Sequence, residues 1–304
     1  MYNDLFSIGP LTIHSYGLMI GIGVVVALLV GEHRAKKRDL DGDFIYGLVA
    51  ATVILGFLGA RILFIITEWS SFLENPARYL TGSGFVVYGG IIAGALTMYG
   101  YCKLKKVNLL DYIDLLVPSV AFAQGFGRIG CFLAGCCYGR ETDSCIGVVF
   151  THSSYAPNNV KLLPTQLFMS AGDFLIAILL LIYAKKKRVR GQVGAVYLMM
   201  YSVGRFFIEF LRNDERGNVG FLSTSQFIAI FIFLGSALAY WKIIPFLENK
   251  RTLAEENKEK VEDEVNAEGK EEIVDNKEVE DKEVEDKEVE DKEVEDKEKG
   301  IDHE

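Results

Sequence analysis

Seven long apolar runs constrain this chain more than any other feature. They lie near residues 11–30, 44–67, 85–102, 112–132, 167–184, 193–211 and 227–247. Each is about the length a helix needs to cross a hydrocarbon core of about 30 Å. The runs are continuous, whereas barrel strands alternate apolar and polar residues, so helices are predicted. The expected fold is all-α, a polytopic membrane protein with about seven transmembrane helices. The fourth run is the least regular, because it carries Asp114, Pro118, Gln124 and Arg128.

Charge divides the chain in two. Residues 248–304 hold 26 of its 41 acids and 11 of its 32 bases, which leaves the first 247 residues with a net charge of +6 although the whole chain has -9. Two domains are expected: a transmembrane body, 1–247, and an acidic low-complexity tail, 248–304. Within the tail the unit KEVED repeats four times over 277–296. A valine every fifth residue advances about 140° around a helix, so no stripe forms and no coiled-coil seam is available. With little apolar surface to offset chain entropy, the tail is expected to be disordered, either as a spacer or partner-binding extension or as a solvated appendage, and no chemistry is expected there.

Bases set the orientation. They gather after the first run (Arg34, Lys36, Lys37, Arg38), the third (Lys103, Lys105, Lys106) and the fifth (Lys185, Lys186, Lys187, Arg188, Arg190). The alternate connections are poorer, with Arg78, then Arg140 and Lys161, then Arg212 and Arg216. The positive-inside rule places the N-terminus outside and the tail in the cytoplasm. The start MYNDLFSIGP has no basic region before its apolar run, so the first run is expected to be a retained span rather than a cleaved signal peptide.

The most informative charged residues at membrane depth are Arg61, Arg128, Arg205 and Glu209. An arginine facing lipid at the bilayer centre costs about 2.5–3.5 kcal/mol on insertion scales, so these side chains should face protein. On the predicted orientation they approach the outer leaflet together. Arg205 and Glu209 are four apart and can pair, with Arg212 three further on. One acid does not neutralise four cations, and the guanidinium fork suits phosphate, so an anionic ligand such as a phospholipid headgroup is expected.

The segment GRIGCFLAGCCYGR, Gly127 to Arg140, interrupts an apolar run with glycines. Either they allow tight helix packing or the helix breaks there and its freed N–H groups approach a ligand; the flanking arginines favour a break. Cys131, Cys136, Cys137 and Cys145 fall in the same region. A disulfide, small buried thiols and a redox function are all compatible with them, while zinc is less favoured, since no CxxC pair accompanies them. The four histidines are His14, His33, His152 and His303, and none is beside the arginines in sequence.

YGLMIGIG from Tyr16, GARILF from Gly59, VVYGGIIAG from Val86, GRIGCFLAGCCYGR, LLPTQL from Leu162 and GRFFIEFLR from Gly204 resemble, in the same order, the motifs of prolipoprotein diacylglyceryl transferases. The resemblance covers residues 10–247 and none of the tail. It implies a seven-helix bacterial inner-membrane enzyme that moves the diacylglyceryl group of phosphatidylglycerol to a lipobox cysteine thiol and releases glycerol phosphate. Phosphatidylglycerol, prolipoprotein signal peptides and membrane lipids are the implied partners, with no nucleic acid, metal or organic cofactor. The implied catalytic residues are Arg128, Arg205, Tyr88 and Tyr16. The expected substrate-binding set is Arg128, Arg205, Arg61, Glu209, Arg212, Gly89, Gly90, Gly139 and Gln166.

The chain departs from the motifs at several places. Tyr88-Gly89-Gly90 stands for His-Gly-Gly, which removes the family's histidine. Cys131 and Cys136 stand for an asparagine and an acid, and Met169 for a glutamate. A lineage variant that keeps the activity is the expectation. The alternatives are a lipid-binding or transport protein without catalysis and a thiol-redox paralogue.

Overall fold

The computed structural model describes residues 4–8, 11–38, 40, 42–81, 84–186, 188–213, 217–254, 256 and 257. The KEVED repeats, Lys187 and Arg216 lie outside them. A first unit, Met1–Pro245, contains all the packing considered below.

Each of the seven apolar runs forms a helix. A hairpin, β1 (Asp4–Ile8) and β2 (Leu11–His14), precedes α1 (Ser15–Lys36), so the start of the first run is strand rather than helix. Then follow α2 (Gly42–Thr67), two short helices, α3 (Trp69–Glu74) and α4 (Pro76–Thr81), and α5 (Val87–Leu104). Next come α6 (Leu109–Ala134), the two-stranded pair β3 (Val148–Val149) and β4 (Lys161–Leu162), α7 (Thr165–Tyr183) and α8 (Gln192–Ile208). A 3-10 turn (Glu209–Leu211) and the pair β5 (Asn218–Val219) and β6 (Leu222–Ser223) lead to α9 (Thr224–Leu238). A π turn, Ala239–Ile243, continues α9, so that this apolar helix extends over Thr224–Ala254.

Among the described residues, six helices are long and apolar enough to cross a membrane, which makes the chain a polytopic membrane protein. The exception among the seven is α5, whose 18 residues include three tyrosines, four glycines and Lys103. Many large apolar side chains on α2, α5 and α9 are exposed, as Ile54, Ile62, Leu96 and Phe231 show, and on a membrane helix such surface meets lipid.

Small residues set the helix contacts. In a bilayer, apolar burial supplies little drive for helix association, so close backbone approach and interhelical hydrogen bonds take over. α1 packs on α6 with Gly23 against the backbone of Ala123 and Gly31 against Leu116. α2 packs on α5 through Gly56 and Gly59 facing Gly89, Gly90 and Ala93. α6 meets α7 where the Phe174 ring covers Gly125, and Ser170 Oγ donates to the Gly125 carbonyl at 2.9 Å. At the other end of α6, Asp114 accepts from the backbone N–H groups of Gly191 (2.7 Å) and Gly194 (2.8 Å), which ties α6 to the start of α8. A carboxylate there satisfies donors that the first turn of a helix leaves unpaired.

Gly89 shows how little room this packing leaves: a Cβ there would stand 2.3 Å from the Gly59 carbonyl oxygen and 2.6 Å from Leu63 Cβ. Gly100, on the same helix, has open space around it. We therefore expect Gly89→Ala to destabilise the protein by about 1–3 kcal/mol, the usual cost of overpacking. Gly100→Ala should be neutral or stabilising by up to about 1 kcal/mol. Thermal unfolding of the two variants in detergent measures the contrast.

Candidate functional site

α6 carries the central arginine. Asn108 caps its start, with Oδ1 accepting from Leu110 N–H at 2.9 Å, and the helix continues past Pro118 to Ala134. The break expected in the segment Gly127 to Arg140 comes late in it, after Ala134, and not at its first glycines. Gly125 and Gly130 serve packing instead, the second against the Tyr16 ring and Met19 of α1. The chain leaves the helix at Gly135, whose φ of 76° is the left-handed conformation suited to a helix end.

Arg128 projects into the interior of the bundle. Its electrostatic neighbours are Tyr201 of α8, Asp173 of α7, and Cys131 and Cys137 at the end of α6. Tyr16 also has Arg128, Cys131, Cys136 and Cys137 as neighbours. Beside this group Tyr197 donates to Gln124 Oε1 at 2.5 Å, and the Tyr197 and Tyr201 rings stack. Asp173, the one charged residue of α7, is buried, and its Oδ2 has no hydrogen-bond partner.

A cavity between α7 and α8 adjoins this group. Its lining includes Met169, Gly172, Asp173, Tyr201, Gly204 and Arg205. Arg205 Nη1 pairs with Glu209 Oε2 at 2.5 Å, with both side chains nearly buried, and Nη2 donates to Ser225 Oγ of α9 at 2.7 Å. The expected Arg205–Glu209 pair therefore forms, and it holds a guanidinium at the cavity wall. Arg128 stands behind the same wall, on the side of Asp173 and Tyr201.

Arg212 does not continue along the face of Arg205. α8 gives way to a 3-10 turn, and Arg212 is extended and buried, forming an antiparallel bridge with Gly139. Its Nη1 donates to Met169 Sδ at 3.7 Å, and its guanidinium also hydrogen-bonds the Cys137 sulfur. Gly139 is packed so tightly on Leu163 and Thr165 that a Cβ would approach the Leu163 carbonyl to 2.7 Å. Gln166, fully buried, donates from Nε2 to the Cys136 carbonyl at 2.7 Å, and Thr165 Oγ1 donates to the Cys137 carbonyl at 2.8 Å. Gly139 and Gln166 thus shape the loop after α6.

The thiols in that loop are electrostatically unequal. Hydrogen bonds with Cys131 and Cys136, joined by the Arg212 charge, hold the Cys137 thiol well below its ordinary pKa. Hydrogen bonds to Cys131 and Cys137 push the Cys136 thiol up. Cys145, grouped with these by sequence, is exposed and outside the cluster.

Other expected site residues are placed elsewhere. Arg61 Nη1 donates to the Gly84 carbonyl at 2.8 Å, and its guanidinium lies over Phe64 and Phe85. It belongs to the α2–α5 region rather than to the group around Arg128. Gly89 and Gly90 are helix-packing residues of the same region, and Tyr88 at the start of α5 is 55% exposed. Conversely, Asp173, Tyr201 and the Tyr197–Gln124 pair escaped the sequence reading. Asp173 had a usable signal, a lone acid inside an apolar run; Tyr201 had none, because a tyrosine among apolar residues is ordinary.

Residues 3–242 match the family model described as prolipoprotein diacylglyceryl transferase. The chain is 51% identical over 233 residues to phosphatidylglycerol–prolipoprotein diacylglyceryl transferase 2 of Clostridium perfringens, an alignment covering 76% of this chain and 91% of that protein. It is 49% identical over 228 residues to the phosphatidylglycerol–prolipoprotein diacylglyceryl transferase of Clostridium tetani, covering 75% and 92%. With the protein of the same name from Finegoldia magna the identity is 33% over 236 residues, covering 77% and 92%. The chain therefore belongs to the prolipoprotein diacylglyceryl transferase family.

Proposed function

We propose that this protein, in the bacterial cell membrane, transfers the diacylglyceryl group of phosphatidylglycerol to the lipobox cysteine thiol of prolipoproteins, with release of glycerol phosphate. The observation that carries the reading is the α7–α8 cavity at membrane depth, with Arg205 in its wall and Arg128 behind Asp173 and Tyr201. Sulfur attacks the glycerol carbon, the carbon–oxygen bond to phosphate breaks, and a singly charged diester becomes a leaving monoester of higher charge. Arginines that meet this developing charge stabilise the transition state more than the bound lipid. Arg128 and Arg205 are assigned that role; Glu209 and Ser225 orient Arg205. On the positive-inside orientation the cavity is in the outer half of the bilayer, where the substrate's signal peptide emerges.

The thiol must lose its proton to become a nucleophile. Asp173 is the acceptor the geometry favours, since its Oδ2 is buried, unpartnered and on the cavity wall. Tyr88 is less suited, being exposed at the start of α5. Tyr16 is assigned to the rim of the site, against Gly130 and the thiol loop. Arg212, Gly139 and Gln166 hold that loop in place.

In an assay of phosphatidylglycerol with a lipobox peptide, Arg128→Ala and Arg205→Ala should each lower transfer and glycerol phosphate release by at least about 100-fold. Full activity in both variants would remove their assigned roles. A lipid carrier without catalysis would release no glycerol phosphate at all.

Asp173→Asn keeps the shape and removes both the proton acceptor and the charge opposing Arg128, so kcat should fall by about 100-fold or more while KM for the lipid falls or stays the same. An unchanged kcat would exclude Asp173 as the base.

The acidic segment after residue 247 is proposed to be a cytoplasmic appendage with no part in the chemistry. Deleting residues 252–304 should leave turnover unchanged at equal protein concentration, and loss of turnover would assign the tail a role in catalysis.

A further inference from the structure

The Sγ atoms of Cys131, Cys136 and Cys137 all lie within 4.8 Å of one another, although no thiol of the enzyme is needed by the reaction proposed above. The backbone is bent to bring them together. Cys131 is in the last turn of α6, Gly135 turns the chain with φ 76°, and Cys136 N–H returns to the Cys131 carbonyl at 3.1 Å. Cys137 itself has φ 61°, a left-handed conformation that costs a residue with a side chain about 1–2 kcal/mol. Two fully buried side chains of α7, Thr165 and Gln166, then fix the carbonyls of Cys137 and Cys136. Strain and buried polar groups are thus committed to holding a triangle of sulfurs.

Three thiols with no imidazole or carboxylate among them make a soft ligand set, suited to Zn(II) among the divalent ions of cells. Tetrahedral zinc with Zn–S bonds of about 2.3 Å places sulfurs about 3.8 Å apart, so the triangle needs to contract by no more than about 1 Å. Three thiolates on one Zn(II) carry a net charge of -1, and Arg212, buried and hydrogen-bonded to the Cys137 sulfur, offsets it. Three protein ligands leave the fourth tetrahedral position open, as in zinc sites that handle a substrate rather than only support a fold. The site adjoins the lipid cavity through two shared neighbours. Arg128 lies near Cys131 and Cys137 as well as Asp173, and Arg212 contacts both Cys137 and cavity-lining Met169.

We infer that Cys131, Cys136 and Cys137 bind one Zn(II) ion whose fourth position takes the substrate thiol that is to be alkylated, a role that rests on the transferase reading. Binding converts the thiol to a zinc-held thiolate, its proton passing to the Asp173 carboxylate. A sulfur electron pair then forms the bond to the glycerol carbon, and the carbon–oxygen bond breaks, its electron pair leaving with glycerol phosphate. The product thioether, a weaker ligand than the thiolate, dissociates, and no electron is gained or lost by the metal.

Full-length protein purified in detergent without chelator should contain about one zinc per chain by elemental mass spectrometry. Cys136→Ser and Cys137→Ser should lower the content at least about tenfold, while Cys145→Ser should leave zinc and transfer unchanged. Exchange of the wild-type metal for Co(II) provides a measure that needs no variant to fold. A thiolate-to-cobalt absorption band should appear, and a lipobox peptide should shift it whereas its Cys→Ser counterpart should not. Wild-type protein that holds neither ion, or whose three thiols are found partly as a disulfide, overturns the metal site. Transfer by zinc-free protein, insensitive to chelator, also overturns it and leaves the transferase standing. Stoichiometric zinc without transfer of any lipid overturns the transferase reading and the thiol role while keeping the metal site.

Discussion

A guanidinium at membrane depth must be surrounded, and the requirements of Arg128 organise the middle of this protein. Lipid offers it neither hydrogen-bond acceptors nor counter-charge, so the bundle has to supply both. It does so from three places: Asp173 on α7, Tyr201 on α8, and the thiols of Cys131 and Cys137 at and after the end of α6. The helices that enclose Arg128 are therefore fixed relative to one another by the same groups that define the cavity. Arg205 is handled separately, by Glu209 one turn away and Ser225 on α9, so the second cation of the site does not compete for Asp173.

Enclosing polar groups this way requires helices to approach closely, and glycine permits it. Gly125 makes room for Phe174, and Gly130 for Tyr16 and Met19. These contacts bring α7 and α1 against the segment of α6 that bears Arg128. The two halves of the bundle use different glycines for the same purpose: the α2–α5 pair closes on Gly59 and Gly89, far in sequence from the arginines of the cavity. That separation explains why enlarging a packing glycine is expected to affect stability first, whereas changing a cavity residue is expected to affect turnover first.

Much of this was legible in the sequence. Continuous apolar runs identify the spanning helices because lipid forces the backbone to satisfy itself within each segment. The Arg205–Glu209 pair is visible because four residues separate its members. Tertiary placement was less accessible. Arg61 is chemically like Arg128, and only the structure shows it engaged with Gly84, Phe64 and Phe85. Gly89 and Gly90 look like ligand-approach glycines in a motif and are packing glycines in three dimensions. The departures Cys131 and Cys136 lie beside Cys137, and Arg212 joins Cys137 to the third departure, Met169, up to 38 positions away in the chain; no spacing rule relates α6 to α7.

Asp173 connects the electrostatics to the chemistry. While it is ionised, it opposes Arg128, and the wall of the cavity has little net charge to offer a second anion. A bound phosphodiester needs only modest stabilisation at that stage, since it carries a single negative charge. Once Asp173 takes a proton from the attacking thiol, it becomes neutral and Arg128 loses its counter-charge. The phosphate oxygen acquires negative charge in the step that follows, as the carbon–oxygen bond breaks. Proton transfer thus releases the field of Arg128 when the leaving group can use it, which favours the transition state over the bound substrate. In a cavity of low dielectric such a redistribution has a larger effect than it would in water. A neutral residue in place of Asp173 would leave Arg128 permanently unopposed, binding the lipid phosphate in its ground state as well as in the transition state. The benefit of an acid at this position therefore lies in its change of charge during the reaction, and a permanently charged or permanently neutral side chain does not reproduce it.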